Sequence, residues 1–534
     1  MKCMKRIYKT SLPIVLLLFL LASCIKNDID YPVIKLQILD MTVKGQTSAA
    51  DINAETRTVT FNLEESVNLK KVQLTKLELT EGAKTDLAVN SYLDLAQPKK
   101  VVLSLYQDYE WTIIGKQTIE RKFVVEDQIG PALFDEENHI AVAYVSTQTS
   151  LRMINVEDLK LGPIGCTMTP ADFTTLHNFM SAQKVTIKYH DVTEVWTLYV
   201  SQSTNEVVTS SADGWTNVAW LYGQGKKGST FGFEICEASS GAWVAVNDAY
   251  IEVNGGSFKA RVPHLKPSTV YNCRAVSGDK YGDILTFTTG EAVKLPGGTF
   301  DDWFLDGDVW NPWPKDGEQF WDTGNKGASS LGESNSVPTS SDTWNGKGKA
   351  AQLNSKFVGI ASIGKFAAGN LYVGKYIKTV GTNGVLNFGR PFTERPVRLR
   401  GHYKYTTVPI DYIPKKTSAD YSRFASYEGK PDTCFMYVAL GDWDNPVEIR
   451  TEPANRSLFN KNDSHIIAYA EFSSGTTVSS YQDLNLELVY RATNRTPKHI
   501  VIVCSASKYG DYFTGGAGST LWVDDFTLEY DYDD

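Results

Sequence analysis

Thr58-Val59-Thr60-Phe61-Asn62-Leu63 alternates apolar and polar side chains and is rich in β-branched and aromatic types. That pattern predicts a strand with one face buried. Val185-Thr186-Ile187-Lys188-Tyr189 repeats it, and so does almost every segment past residue 30, with Gly, Asn, Asp and Pro between the runs. The expected fold class is therefore all-β, a multidomain chain of β-sandwiches built from short antiparallel strands. A single helical turn is expected over 169–180, where Pro170 stands at a possible first helical position. At about 150 residues per domain, 534 residues predict three or four domains. With 42% hydrophobic and 22% charged residues, the composition is that of a folded chain and excludes disorder. Asp and Glu number 62 against 53 Lys and Arg, a formal charge of -9. Such a surface repels phosphate backbones and excludes nucleic acid as the expected partner.

An internal repeat organises the first third. Asn68–Leu79 matches Ser150–Leu161, and Glu110-Trp111-Thr112 matches Val195-Trp196-Thr197. This predicts two copies of one sandwich, each with its Trp on a late strand, and the copies resemble immunoglobulin-like domains at 24–128 and 129–204. Then come Leu265-Lys266-Pro267-Ser268-Thr269-Val270-Tyr271, Cys273-Arg274-Ala275 and Leu285-Thr286-Phe287-Thr288-Thr289. They resemble the last strands of a fibronectin type III domain, here 205–291. The resemblance makes Tyr271 the corner tyrosine whose hydroxyl meets the backbone of the preceding loop.

The first residues form a leader, 1–23. A basic start is followed by Pro13-Ile14-Val15-Leu16-Leu17-Leu18-Phe19-Leu20-Leu21, about half the length a membrane-spanning helix needs, and then by Ala22-Ser23-Cys24. The leader resembles the lipobox of bacterial lipoproteins. That resemblance implies cleavage before Cys24, lipidation of its thiol and acylation of its amine, and stable membrane attachment through several chains. Asn27, Asp28 and Asp30 look like the sorting tail of surface lipoproteins in Bacteroides-type bacteria, implying the outer membrane and its exposed face. Cys166, Cys236, Cys273, Cys434 and Cys504 are odd in number and irregularly spaced. They read as buried free thiols rather than a disulfide framework.

Residues 292–534 differ in composition. Seven of the twelve tryptophans fall there, many among Gly, Asn, Asp and Pro, as in Asp308-Val309-Trp310-Asn311-Pro312-Trp313-Pro314. Rings in loops suit sugar recognition, because the C–H face of a pyranose packs on a π surface. Trp310, Trp313, Trp344 and Trp321 are the candidate carbohydrate-binding residues, with core packing the alternative for Trp321. Trp303 and Trp522 are read as core.

Leu295-Pro296-Gly297-Gly298-Thr299-Phe300-Asp301-Asp302-Trp303 opens this region. Gly515-Gly516-Ala517-Gly518-Ser519-Thr520-Leu521-Trp522-Val523-Asp524-Asp525-Phe526-Thr527-Leu528 closes it. With Phe320–Asn325, Gly348–Leu353, Gly364–Asn370 and Leu399–Tyr405 between them, the set resembles the carbohydrate metabolism domain of Bacteroides-type lipoproteins. The resemblance implies a two-sheet jelly roll at 292–534, an envelope location and a role in glycan utilisation beside other envelope glycan-uptake proteins. The two ends also resemble jelly-roll carbohydrate-binding modules that share a structural calcium, which implies Thr299, Asp524 and, more remotely, Gly348 as ligands. Six to eight hard oxygens are needed, so Asp301 or water must contribute. Strand alternation places Asp524 on one face with Trp522 and Phe526.

Hydrolysis of a glycosidic bond would need two carboxylates about 5–5.5 Å apart, or about 6.5–9.5 Å apart, depending on stereochemistry. Asp306, Asp308, Asp316, Glu318, Asp322, Asp442 and Asp444 are candidates, and sequence selects no pair among them. Gly359–Phe366 has the spacing of a phosphate loop, but Phe366 stands where Ser or Thr is required. No organic cofactor is expected. Glycan recognition is the favoured reading. A glycoside hydrolase is the first alternative, and a structural or adhesive surface protein the second.

Overall fold

The computed structural model describes residues 36–533 apart from 55, 331, 361, 362 and 419, so the leader and Cys24 lie outside the described residues. Strands dominate, joined by loops and single helical turns. Thr58–Leu63 is one of them, with Val59, Phe61 and Leu63 buried and Asn62 exposed. It runs parallel to Asp108–Gln117, with Asp51–Asn53 and Lys99–Ser104 outside the pair. The opposing sheet holds Ile38–Val43 and Val72–Leu79. In the second sandwich Ile140–Ser146 runs parallel to Val192–Ser203, with Gln183–Tyr189 beyond, while Lys122–Val125 pairs with Val156–Lys160 in the other sheet.

The two sandwiches thus repeat one strand order. The parallel pair in each differs from the antiparallel expectation because the chain crosses to the other sheet between the two strands and returns in the same direction. Trp111 and Trp196 are fully buried on the equivalent late strands. Since Lys122–Val125 pairs within the second sandwich, the chain enters it between Gln117 and Lys122, ahead of residue 128.

No α-helix forms over 169–180. Asp172 accepts the Thr174 N–H at 3.0 Å and caps one short 3-10 turn, Phe173–Thr175. The buried side chains of Leu176 and Phe179 then draw the chain into the core in extended form. In the third sandwich Val207–Gly214, Ala219–Gly225 and Ser257–Val262 face Gly232–Glu237 and Val270–Ser277. Tyr271 is buried, and its hydroxyl accepts the Lys266 N–H at 3.0 Å, the contact expected of a corner tyrosine. Among the described cysteines all five are free, and four are buried.

The C-terminal sandwich opposes a nine-stranded sheet to a five-stranded one. Between them lie Trp321, Leu353, Leu399, Met436, Ile502, Leu521 and Phe526. The larger sheet carries a second apolar layer on its outer face, with Tyr372, Tyr376, Phe388, Tyr437, Trp443 and Val501. Cys434–Gly441 and His499–Ser505 are therefore buried on both faces and read as continuous apolar runs rather than alternating ones.

The third and first sandwiches both touch the C-terminal one. Buried Trp215 of the third packs on Tyr490, 4.1 Å between ring centroids, and donates its indole N–H to the Thr493 carbonyl at 3.0 Å. The first sandwich also reaches the C-terminal one, where Asn460 donates to Asp51 at 3.2 Å.

Candidate functional site

The outer layer of the large sheet is the floor of a cavity of about 420 Å³, within the usual range for small-molecule sites. Tyr376, Phe388, Phe435, Tyr437 and Tyr469 line the floor. Tyr376, Phe435, Tyr437 and Tyr469 come from strands whose opposite side chains fill the core, and Phe388 from the neighbouring strand Asn383–Phe388. The walls are insertions between strands: the hairpin Lys356–Ile360 and Ile363–Ala367, the turn Tyr421–Phe424, the segment holding Leu458 and Phe459, and residues 508–513. Phe459 packs over Tyr437 at 5.0 Å. Phe513 has φ +55°, a left-handed conformation that costs a phenylalanine energy. Its N–H is bound to the Gly510 carbonyl at 2.8 Å, and the Lys365 ammonium sits 3.9 Å from its ring centre.

Six charged side chains line the cavity: Lys365, Arg423, Lys461, Lys508, Glu471 and Asp511. Burial pushes the Glu471 carboxyl up, but hydrogen bonds from the Tyr469 hydroxyl (2.6 Å) and the Lys461 ammonium (3.1 Å) outweigh it, so the group lies below its ordinary value. Asp511 moves the other way. Protein surrounds it and raises its carboxyl, with Arg456 opposing. The residue is nevertheless exposed to solvent, which weakens that shift. Ring faces below and hydrogen-bonding groups around them suit a ligand with one apolar and several polar edges, such as a sugar ring.

None of the four tryptophans singled out in the sequence lines this cavity. Trp321 is core, 1% exposed, with its N–H on the Pro296 carbonyl. Trp310 is half-buried against the same core. Trp313 meets Phe304 edge to face, with the Lys326 ammonium 5.6 Å from its ring. Trp344 is 43% exposed, but one face is stacked on His402 at 3.8 Å and its N–H donates to Asp525 at 2.6 Å. Trp303 is buried as expected. Trp522 is not core. It lies half-buried on the outer face of the five-stranded sheet, with the Lys404 ammonium 4.3 Å above it.

The reason is a bulge. Asp525 has φ +49°, and the register against Arg398–Thr406 slips there. Alternation resets, so Leu521, Val523 and Phe526 all face the core while Asp524 does not share the face of Phe526.

The expected calcium residues are brought to one corner. Gly298 accepts the Phe526 N–H at 2.7 Å, which sets neighbouring Thr299 beside the bulge. Asp301 accepts the Lys349 N–H at 2.7 Å, next to Gly348, whose φ of +63° and closeness to that carboxylate leave no room for a Cβ. Asp524 is 3% exposed and accepts the Trp344 N–H at 3.0 Å. Burial, with Asp525 and Asp301 adding to it, raises its carboxyl to about 6. The oxygens are hard donors of the type calcium takes. Among the described residues, however, no three His, Cys, Asp or Glu side chains converge as a metal-holding group. An ion here would need main-chain oxygens and water.

None of the sequence's candidate acids lines the cavity. Asp322 is buried and holds Gln319, the Thr323 N–H and the Tyr376 N–H. Asp442 pairs with Arg495 and Asp444 with Lys498. Asp306, Asp308, Asp316 and Glu318 are exposed outside the cavity. The cavity was missed because its residues are spread over 324–513. The available signal was the loss of alternation in Cys434–Gly441 and His499–Ser505, which marks a sheet covered on both faces.

The fold and this cavity define a multidomain β-sandwich protein with an aromatic-lined cavity on its last sandwich. Residues 299–529, nearly all of that sandwich, match the family model PCMD, "Putative carbohydrate metabolism domain", which associates it with carbohydrate. Similar solved structures include a "putative glycoside hydrolase" from Bacteroides thetaiotaomicron VPI-5482 (13% identity, 94% of this chain and 99% of that one, TM-score 0.31). Another "putative glycoside hydrolase" comes from Bacteroides vulgatus ATCC 8482 (19% identity, 45% and 95%, TM-score 0.30). A surface glycan-binding protein from Prevotella bryantii is also similar (8% identity, 76% and 90%, TM-score 0.17). No curated protein matches the chain.

Proposed function

We propose that this protein binds a carbohydrate in the cavity on the outer face of the large C-terminal sheet. In this reading it is held at the cell envelope by lipid on Cys24, at the exposed face of the outer membrane, and serves glycan capture beside other envelope glycan-uptake proteins. The observation that carries the reading is the cavity itself: an aromatic floor from Tyr376, Tyr437 and Tyr469 inside a polar rim, in the sandwich that matches a carbohydrate family. The leader sequence supports the anchor, and the Thr299, Asp301 and Asp524 corner is where a structural calcium would sit. Such an ion would neutralise the two carboxylates and tie the ends of the domain together. A glycan-array screen of the purified protein tests the reading, and failure of every glycan to bind the folded protein rejects it.

Hydrolysis at the same cavity is a second reading. Its candidates are the two acids that line the cavity, Glu471, whose carboxyl is lowered, and Asp511, whose carboxyl is raised. Product analysis on a bound glycan decides between them. Cleavage that disappears in Asp511→Asn establishes hydrolysis, and ligand recovered unchanged leaves capture alone.

A further inference from the structure

The charge lining the cavity has the opposite sign to that of the whole protein. The chain carries -9, yet the cavity lining holds four basic side chains against two acids. Among the described residues one ion pair joins them, Lys461 to Glu471. Lys365, Arg423 and Lys508 have no carboxylate at ion-pair distance among the described residues. Lys365 binds the Asn383 side-chain oxygen at 2.7 Å and faces the Phe513 ring. Arg423 donates to the Tyr512 hydroxyl at 2.9 Å and lies over that ring at 4.6 Å. Lys508 sits 5.0 Å from the Phe435 ring. Arg456, just behind, is already paired with Asp420 at 2.7 Å.

Three cations held over aromatic rings keep their orientation, and ring faces compensate less of a desolvated charge than a carboxylate would. Lys365 records the imbalance. Burial and then the Arg456 guanidinium lower its ammonium below the ordinary value, and Glu452 offsets this only in part.

We propose that the cavity selects an anionic carbohydrate, one carrying a carboxylate or sulfate group that Lys365, Arg423 and Lys508 receive while the sugar ring packs on the half-buried rings of Tyr469 and Phe459. This rests on the carbohydrate reading above and narrows it. Guanidinium and ammonium donors suit both anions, so the two sources share one recognition chemistry.

The test measures binding of the full protein to an array of neutral, uronic-acid-containing and O-sulfated glycans, followed by calorimetry on the best binder. The expected result is that the strongest binders are acidic. Carboxyl reduction or desulfation of the ligand then weakens binding about tenfold or more, and the form whose neutralisation removes binding identifies the anion. Lys508→Gln and Arg423→Gln each bring a comparable loss, and affinity falls with added salt. Neutral glycans binding as tightly as their acidic counterparts, with both variants unchanged, would overturn the anionic assignment and leave the carbohydrate reading standing. No glycan of any charge binding to the folded protein overturns both.

Discussion

The two outer faces of the C-terminal sandwich are both rich in aromatic and basic residues, and they use them differently. On the five-stranded sheet, Trp344 is stacked on His402 and its N–H is held by Asp525, while Lys404 covers Trp522 and bridges to Asp342. The rings and charges there satisfy one another. On the nine-stranded sheet Phe459 covers Tyr437, but the insertions leave a cavity of about 420 Å³ in which Phe435, Tyr469 and Phe459 stay only half-buried. Aromatic content marks a binding site only where the ring faces remain unspent, and that depends on which loops cross the face.

The largest expected effect separates floor from face. Tyr437 is 5% exposed and packs against Phe435, Phe459 and Tyr469. Tyr437→Ala is expected to destabilise the C-terminal sandwich by about 3–5 kcal/mol, read from chemical denaturation. The milder Phe459→Ala removes a wall ring that is only half-buried, so it is expected to keep the fold and weaken glycan binding about tenfold, measured by calorimetry. If Phe459→Ala binds like the native protein, the ligand does not lie on this floor.

Second in size is the corner beside the other face. The Asp524 carboxyl is raised to about 6 in the folded protein, against about 3.9 in an unfolded chain. A raised carboxyl favours the fold when protonated, so this contribution is present in full below about pH 4 and is lost as pH rises through about 6. Without metal, Asp524→Asn is expected to be the more stable protein at pH 7, by up to about 2–3 kcal/mol, and the difference closes below about pH 4. Calcium is expected to reverse that order at pH 7, because the ion favours the ionised carboxylate that only the native protein offers. Thermal melts of both proteins with calcium and with chelator check each sign, and a native melt indifferent to calcium rejects the ion at this corner.

The contrast between the faces also shows what the chain states openly. Alternation in Thr58–Leu63 and Val185–Tyr189 reports a local fact, one face in and one face out, so the all-β fold could be read directly. Tyr271 was equally legible, because its contact with Lys266 lies within a few residues. Trp522 was misplaced because one left-handed residue, Asp525, resets alternation, and no composition rule places a bulge. The cavity demanded more still. Lys365, Phe459, Glu471 and Asp511 meet only after four insertions fold over one sheet, and their spacing in sequence carries no period.

The smallest predicted effect is the sharpest test of the contrast. Trp344 is the most exposed of the tryptophans picked from sequence, and by composition alone it is the natural sugar platform. Its geometry argues otherwise, since His402 occupies one ring face and Asp525 takes its indole hydrogen-bond donor. Trp344→Ala removes that stacking and one charge-assisted hydrogen bond, both near the surface, for an expected loss of about 1–2 kcal/mol of stability. Glycan affinity is expected to stay within about twofold of native, because the residue is absent from the cavity lining. Calorimetry of Trp344→Ala beside Phe459→Ala therefore assigns the ligand to one face. A tenfold loss in the first with none in the second would move the site to the five-stranded sheet, and it would mean that the Trp344 and His402 pair opens to admit a sugar.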